Sequence, residues 1–197
     1  MIEIGPGLGA MTGPLLSRLN QLNVIELDRD IIPKLILNCS SADSQNKNKL
    51  VVNEIYVLKF DFSDFFLRCN AEIEEQNRKK LRIVGNLPYN ISSQILFKLL
   101  EHREIFSRCV LMFQKEVGAR LYARPATRDY GILSVFCQLY FDMAPVVEVP
   151  PGAFRPPPKV DSVVVSFRPL GHPRYKIDDE RLFRRVVKAA FAQRRKT

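Results

Sequence analysis

The sequence predicts an α/β fold built on a mostly parallel sheet with an antiparallel last pair of strands. Two observations carry this reading. Over the first 122 residues, short apolar runs alternate with amphipathic, helix-like segments, the pattern of strands joined by crossover helices. The pattern then changes to two apolar runs, "APVVEVP" and "SVVVSFRPL", separated by the proline-rich "PPGAFRPPPKVDS" with no long helix between them. Parallel sheets of this kind bind ligands at the carboxyl ends of their strands, where the strand order switches.

Each element has its own signal. "MIEIG" reads as the first strand and Met11 to Leu19 as the first helix. "NVIELD" is the second strand, followed by a short helix around Ile31 to Leu37. "IYVLKFD" reads as the third strand, and "LRIVGN" as the next. Ser92 to Glu101 is helical, "CVLMFQ" is a strand, and Gln114 to Tyr122 is helical again. The polar stretches "SSADSQNKNK" (40–49) and "NAEIEEQNRKK" (70–80) read as surface insertions or solvated helix. In the final segment Leu182, Phe183, Val186, Val187, Ala190 and Phe191 form an apolar stripe that needs a partner surface. Arg181, Arg184, Arg185 and Lys188 share another face at helical spacing, either a solvated side or a stripe that contacts phosphates.

Composition narrows the chemistry. Thirty Lys and Arg against 21 Asp and Glu give a net charge of +9, which favours polyanionic partners, nucleic acid first. No apolar run approaches the roughly 20 residues that span a bilayer, and no signal-peptide pattern opens the chain, so a cytoplasmic protein is expected. Cys39, Cys69, Cys109 and Cys137 form no C-x-x-C pair, and His102 and His172 stand alone. The thiols read as buried and reduced. Zinc chemistry and Cys–His nucleophilic catalysis lose their ingredients, and no metal is expected.

"EIGPGLG" sets Gly5, Gly7 and Gly9 between the first strand and first helix. Glycines permit a tight turn and close approach to a ligand, and a helix N-terminus beyond them presents N–H groups. Glu26, 21 positions after Gly5, ends the second strand, where it can accept from two ribose hydroxyls. A nucleoside-bearing cofactor follows, unless the loop is merely a tight turn. The G-x-G-x-G spacing departs from the dinucleotide pattern, and Pro6 removes one donor. A pyrophosphate wants many N–H groups and a methionine carboxylate few, so S-adenosylmethionine fits better than NAD. Asp61, ending "KFD", is expected to accept from the cofactor's adenine amino group.

"GNLPYNIS" follows the "LRIV" strand and contains no acid, base, thiol or metal ligand. Methyl transfer from a sulfonium to an amine needs none of these; it needs in-line positioning. The Asn86 side-chain oxygen and the Leu87 carbonyl can accept from an amino group. Pro88 holds Leu87 extended, fixing where its carbonyl points. Tyr89 offers a ring for a base to stack on, worth roughly 1–3 kcal/mol. The alternative is a capped helix start. Phe154 is a candidate for the opposite stacking face, or for simple packing beside a proline-stiffened turn. A base within structured nucleic acid has to be extruded to reach such a holder.

The stretches "EIGPGLGAMT", "VIELDRD", "GNLPYNISS", "QKEVGARL", "YGILSV", "VPPGAFRPPPKVDSVVV" and "LFRRVVKAAFAQRRKT" resemble the ribosomal RNA adenine dimethyltransferases, specifically the bacterial small-subunit enzymes of the KsgA type. The resemblance implies dimethylation of the exocyclic amines of two adjacent adenines near the 3′ end of small-subunit ribosomal RNA. It implies a seven-stranded, Rossmann-like class I S-adenosylmethionine-dependent sheet at 1–170, then a linker and the first helix of a small RNA-contacting helical domain at 171–197. It further implies that Gly5, Gly7, Glu26, Asp61 and Asn86 contact the cofactor. Asn86, Leu87, Pro88 and Tyr89 would clamp the target adenine, with Phe154 as second stacking partner. A monomer acting on the immature small subunit is expected. The family's segment with a Gln-x-Phe-Leu motif is absent before Met1, and the stretch from Leu37 to Asp61 is longer and more polar than the family's. Two other readings stay open: a non-catalytic RNA-binding or ribosome-assembly factor, and a nucleotide-dependent oxidoreductase.

Overall fold

The structure, a computed structural model, describes residues 1–42 and 46–192. Residues 43–45 of the 40–49 stretch and 193–197 of the final segment lie outside the described residues. Seven strands form one sheet in the order β3-β2-β1-β4-β5-β7-β6. They are β1 (Ile2–Ile4), β2 (Leu22–Glu26), β3 (Leu50–Glu54), β4 (Leu81–Asn86), β5 (Phe106–Gln114), β6 (Phe141–Val149) and β7 (Ser162–Pro169). The helices are α1 (Thr12–Leu16), α2 (Ile32–Ala42), α3 (Asn46–Lys49), α4 (Phe62–Cys69), α5 (Ser92–Glu101), α6 (Lys115–Tyr122), α7 (Ile132–Tyr140) and α8 (Glu180–Ala192). None among the described residues is long and apolar enough to cross a membrane. The chain divides into two compact units, Met1–Met112 and Phe113–Thr197.

In the first unit every strand pairing is parallel, with β1 between β2 and β4. These strands read as near-continuous apolar runs because both faces are covered. Ile2, Ile4, Leu22, Val24 and Ile83 are all buried. Switching from the β1→β2→β3 side to β4 makes the carboxyl ends of β1 and β4 the crevice of the sheet. Gly85 lets them meet: a Cβ there would lie 2.8 Å from the Ile4 carbonyl oxygen.

The third strand differs from the expectation. It is "LVVNE", paired from Leu22↔Leu50 to Glu26↔Glu54. "IYVLKFD" instead turns through a 3₁₀ segment, Val57–Lys59. Its buried positions, Val57 and Phe60, are three apart, and Phe62 and Phe65 repeat that spacing in α4. Phe60 packs on Phe62 and Phe65, and Phe62 on Phe106, so those apolar residues serve the core from a turn. Other boundaries moved too: α1 is only five residues long, and α2 runs on to Ala42. The 70–80 stretch holds a 3₁₀ turn at Glu75–Asn77.

In the second unit β6 and β7 form the expected antiparallel pair, from Phe141↔Pro169 to Val149↔Ser162. The sequence reading missed α7, which passes into β6 with no turn residue: Tyr140 ends one and Phe141 starts the other. Gly118 lies against this pair, where an added Cβ would come 2.3 Å from Val163 Cγ1. The predicted stripe on α8 is only partly used. Val187 is buried, Phe183 meets Phe136 edge-on, and Phe191 meets Tyr130, while Leu182 and Val186 are more than half exposed. The expectation for the thiols also needs one correction: Cys39, Cys109 and Cys137 are buried, but Cys69, ending α4, is exposed. Burial pushes the Cys109 and Cys137 thiols well up, which keeps both inert.

Candidate active site

The loop after β1 is shaped by its glycines. Gly5, Gly7 and Gly9 take φ of +66°, +55° and +93°, the left-handed region that side chains resist. The Gly5 N–H donates to the Ile25 carbonyl at 3.1 Å, and Gly9 to Pro6 at 3.1 Å, closing the turn. The three differ in what surrounds them. A Cβ on Gly9 would strike Leu35 Cδ1 at 2.9 Å, so Gly9 seats the loop on α2. One on Gly7 would meet nothing within 4 Å, so the outer surface of the loop is open to a ligand. One on Gly5 would come 3.2 Å from the Asn86 carbonyl oxygen. The loop after β1 and the tetrapeptide after β4 therefore abut.

Beneath this loop lies a residue that sequence reading passed over. Glu3, in the middle of β1, is 1% exposed. Its Oε2 accepts from the Thr12 hydroxyl at 2.8 Å, while buried Oε1 has no partner among the described residues. Desolvation disfavours its ionised form and raises its pKa from 4.5 to about 7, with the Thr12 bond acting in the opposite direction. The carboxyl ties the strand to the first residue of α1. The available signal was an acid inside the otherwise apolar "IEI".

Glu26 closes β2 as predicted. Its Oε1 accepts from the N–H groups of Leu27 and Asp28, at 2.9 and 3.0 Å, which fixes the carboxylate at the strand end. Asp61 is not at the end of a strand. It caps α4, its Oδ1 accepting from the Asp64 N–H at 2.9 Å, and that bond holds its carboxyl below the ordinary value. Two residues past the carboxyl end of β3 stands Tyr56, half-buried. Its neighbour Ile55 donates to the Glu26 carbonyl at 3.1 Å, which brings this segment beside Glu26. The misplaced strand concealed Tyr56.

Asn86 ends β4 with an exposed side chain, and Leu87 anchors the next step with a side chain only 1% exposed. Pro88 and Ile91 close a turn at 3.1 Å, and the Ser92 hydroxyl donates to the Tyr89 carbonyl at 3.1 Å. Tyr89 is half-buried in this turn. No donor among the described residues is bonded to the Asn86 side chain or the Leu87 carbonyl. Two acceptors thus stand on a rigid turn beside the glycine loop, with an aromatic ring next to them. The helix-start alternative is partly realised, since α5 begins at Ser92, but Asn86 does not cap it.

In the second unit, Phe154 follows the 3₁₀ turn Pro151–Ala153, its N–H donating to Pro151 at 3.1 Å, and is half-buried. On α8, Arg181, Arg185 and Lys188 are exposed, whereas the Arg184 guanidinium lies 5.8 Å over the Phe136 ring. The basic face therefore has three outward members and one that packs.

A seven-stranded sheet of this order, with a left-handed glycine loop after β1 and an acid ending β2, defines the class I S-adenosylmethionine-dependent methyltransferase fold. The residues fit that cofactor: the loop surface over Gly7 is open, Pro6 leaves it poor in donors for a pyrophosphate, and the Glu26 carboxylate is held at the end of β2 by two backbone N–H groups. A family model described as ribosomal RNA adenine dimethylase matches residues 1–197, and the chain belongs to that family. It is 51% identical over 197 residues to ribosomal RNA small subunit methyltransferase A of Syntrophotalea carbinolica, covering all of this chain and 68% of the relative. The same protein of Geobacter metallireducens is 46% identical, with 67% of it covered. The chain thus spans about two thirds of the length of these curated relatives. Among solved structures, a dimethyladenosine transferase from Plasmodium falciparum is 30% identical with a TM-score of 0.74, covering 98% of this chain and 62% of that one. The 23S rRNA methyltransferase ErmE shares the fold at 23% identity, with a TM-score of 0.69 over 98% of this chain and 70% of its own. Membership of this family sets the oxidoreductase reading aside.

Proposed function

We propose that this protein transfers methyl groups from S-adenosylmethionine to the N6 amines of two adjacent adenines near the 3′ end of small-subunit ribosomal RNA. The observation that carries the reading is the contact of the two loops: Gly5 approaches the Asn86 carbonyl so closely that a Cβ would stand 3.2 Å from it. Methyl donor and acceptor amine need to meet in line, and a cofactor loop abutting an amide-bearing turn provides for that.

When bound, S-adenosylmethionine supplies an electrophilic methyl group. Gly5 and Gly7 let the backbone lie against it, and Glu26 accepts from its ribose hydroxyls. Tyr56 or Asp61 borders its adenine. The Asn86 side-chain oxygen and the Leu87 carbonyl accept from the two N–H groups of the target amine. That draws the nitrogen out of conjugation with its ring and exposes its lone pair toward the methyl group. Alkylation makes the nitrogen acidic, so its proton leaves to water without a dedicated base. Pro88 holds the Leu87 carbonyl in place, and Tyr89 and Phe154 are the stacking faces for the extruded base.

Arg181, Arg184, Arg185 and Lys188 contact RNA phosphates in this reading, Arg184 through the edge of a guanidinium that also covers Phe136. Residues 1–170 form the methyltransferase domain, and 171–197 a linker and the first helix of a further RNA-contacting domain. The protein works in the cytoplasm as a monomer on the immature small subunit, without a metal.

The test is transfer of labelled methyl from S-adenosylmethionine to unmethylated small-subunit ribosomal RNA. Wild-type protein is expected to label the RNA, and Asn86→Ala to lose at least 100-fold of that rate, on the order found for loss of a single preorganised group. Equal rates would overturn the assignment.

A further inference from the structure

The second unit has a cavity of its own, of about 440 Å³, inside the usual range of ligand pockets, about 300–1,000 Å³. The rings of Tyr122, Tyr130, Phe141, Tyr175 and Phe183 line it, and Asp142 and Arg174 bring opposite charges to the same wall. Every one of these residues lies within Phe113–Thr197, and none belongs to the acceptor turn or the glycine loop. Positioning a methyl donor and its acceptor amine gives this cavity no task.

The wall is preformed. Gln138, on α7, donates from Nε2 to the Leu121 and Ala123 carbonyls, both at 2.9 Å, which fixes Tyr122 between them at the end of α6. Arg174 is fastened to the last turn of α7: its N–H donates to the Leu139 carbonyl at 2.9 Å and its Nε to the Gln138 carbonyl at 3.0 Å. The side-chain bond uses one of the five N–H donors of a guanidinium. Tyr175, the next residue, is thereby carried to the cavity while 72% exposed. Burial, and then the Asp142 carboxylate, push the Tyr122 phenol up to about 12, so it keeps its proton and can donate. Between Tyr122 and Tyr130 the chain makes a tight turn. The Thr127 N–H and hydroxyl both bond the Arg124 carbonyl, at 3.2 and 2.7 Å, and Ala126 is held at a φ of +67°, which side chains resist. That turn leaves Arg124 exposed, two residues from Tyr122.

We propose that this cavity takes an unpaired base of the RNA substrate, stacked on its tyrosines, with Arg124 and Arg174 on the adjoining phosphates. A flat ring with a polar edge and an anionic neighbour is the ligand that suits these groups together. The tyrosines offer faces for stacking, Asp142 accepts from the base edge, and the Tyr122 hydroxyl donates to it. Other ligands use the wall less well. A hydrocarbon would strip water from Asp142 and Arg174 without replacing its bonds. A bare phosphate would meet the Asp142 charge, and a simple cation that of Arg174. The unit itself carries nearly all of the chain's net charge of +9, which draws a polyanion. This inference rests on the RNA methyltransferase reading and adds to it a second base site, built wholly from the second unit.

The experiment measures, by fluorescence anisotropy, binding of two labelled octamers to the full 197-residue chain. One is a single-stranded RNA of mixed sequence, and the other has the same sugar-phosphate backbone without bases. The wild type is expected to prefer the base-bearing octamer. Tyr122→Ala and Tyr175→Ala, both at exposed side chains, should each weaken that octamer about tenfold, the effect of losing one stacking ring, and leave the base-free octamer as it was. Tyr122→Phe and Tyr175→Phe keep the ring and should restore most of the loss. Arg124→Ala should weaken both octamers alike and lower the salt slope by about 0.7. A wild type with no preference for bases would overturn the site. So would alanine variants that bind as the wild type does, or that lose both octamers equally. Methyl transfer to small-subunit ribosomal RNA, run in parallel, separates the two claims. Transfer by the wild type with no tyrosine effect on the octamers sinks only this site, and no transfer by the wild type sinks the underlying reading.

Discussion

Replacing Glu3 with Gln should change the pH dependence of stability in a way no surface carboxylate could. Glu3 is buried, with one oxygen bonded to Thr12 and the other without a partner among the described residues, so its neutral form is the one that the fold accommodates. Its pKa rises from 4.5 to about 7 on folding. With a folded value above the unfolded one, the group's stabilising contribution is complete below about 4.5 and is lost as pH rises to about 7. At about 1.4 kcal/mol per pH unit, the interval from 4.5 to about 7 is worth about 3 kcal/mol. Glutamine keeps the shape and stays neutral, so Glu3→Gln does not suffer this loss. Urea denaturation of both proteins between pH 4 and 8.5 measures it, and subtracting one curve from the other cancels every shared titration. The account predicts that the variant gains about 3 kcal/mol relative to the wild type across that range. A difference independent of pH would mean that Glu3 is ionised in the folded protein and that the buried carboxyl has been misread.

Other expectations follow from the same geometry. Tyr56→Ala should weaken S-adenosylmethionine binding, by calorimetry, more than Asp61→Asn does, because Tyr56 follows β3 beside Glu26 while Asp61 caps α4; the reverse order would restore Asp61 to the adenine. Gly85→Ala should cost more than about 2 kcal/mol in denaturation, since its Cβ would sit 2.8 Å from a backbone oxygen on β1 with no flexible group to yield. A normal melting profile would show that β1 and β4 are less closely apposed. Changing Arg181, Arg185 and Lys188 together to Ala should reduce the slope of log affinity for RNA against log salt by about two to three. An unaltered slope would make that face a solvated helix side.

Much of this was legible because strands and helices announced themselves by period. Ser92–Glu101 carries apolar residues at helical spacing after a proline turn, and the helix has those bounds. The glycine loop, Glu26 and Asn-Leu-Pro-Tyr were visible because glycines, an acid and a proline turn are unusual residues to find at the ends of apolar strands. The failures share a cause: an apolar run does not say which geometry buries it. "IYVLKFD" is as apolar as a strand, yet Val57 and Phe60 reach the core from a 3₁₀ turn, which displaced β3 by five residues and drew attention to Asp61 over Tyr56. The α7–β6 junction lacks any breaker, so nothing marked where one element ends and the next begins, and α7 went unassigned. Glu3 escaped notice because burial of a charge depends on the layers above and below, which no local pattern records.

The central claim is the chemistry, and nucleoside analysis of the product tests it most directly. Small-subunit ribosomal RNA lacking the modification would be incubated with this protein and S-adenosylmethionine, digested, and its nucleosides separated by mass spectrometry. The account predicts N6,N6-dimethyladenosine at two adjacent positions near the 3′ end, and none with Asn86→Ala. Methyl groups on any other atom or nucleoside, or the same product from Asn86→Ala, would contradict it.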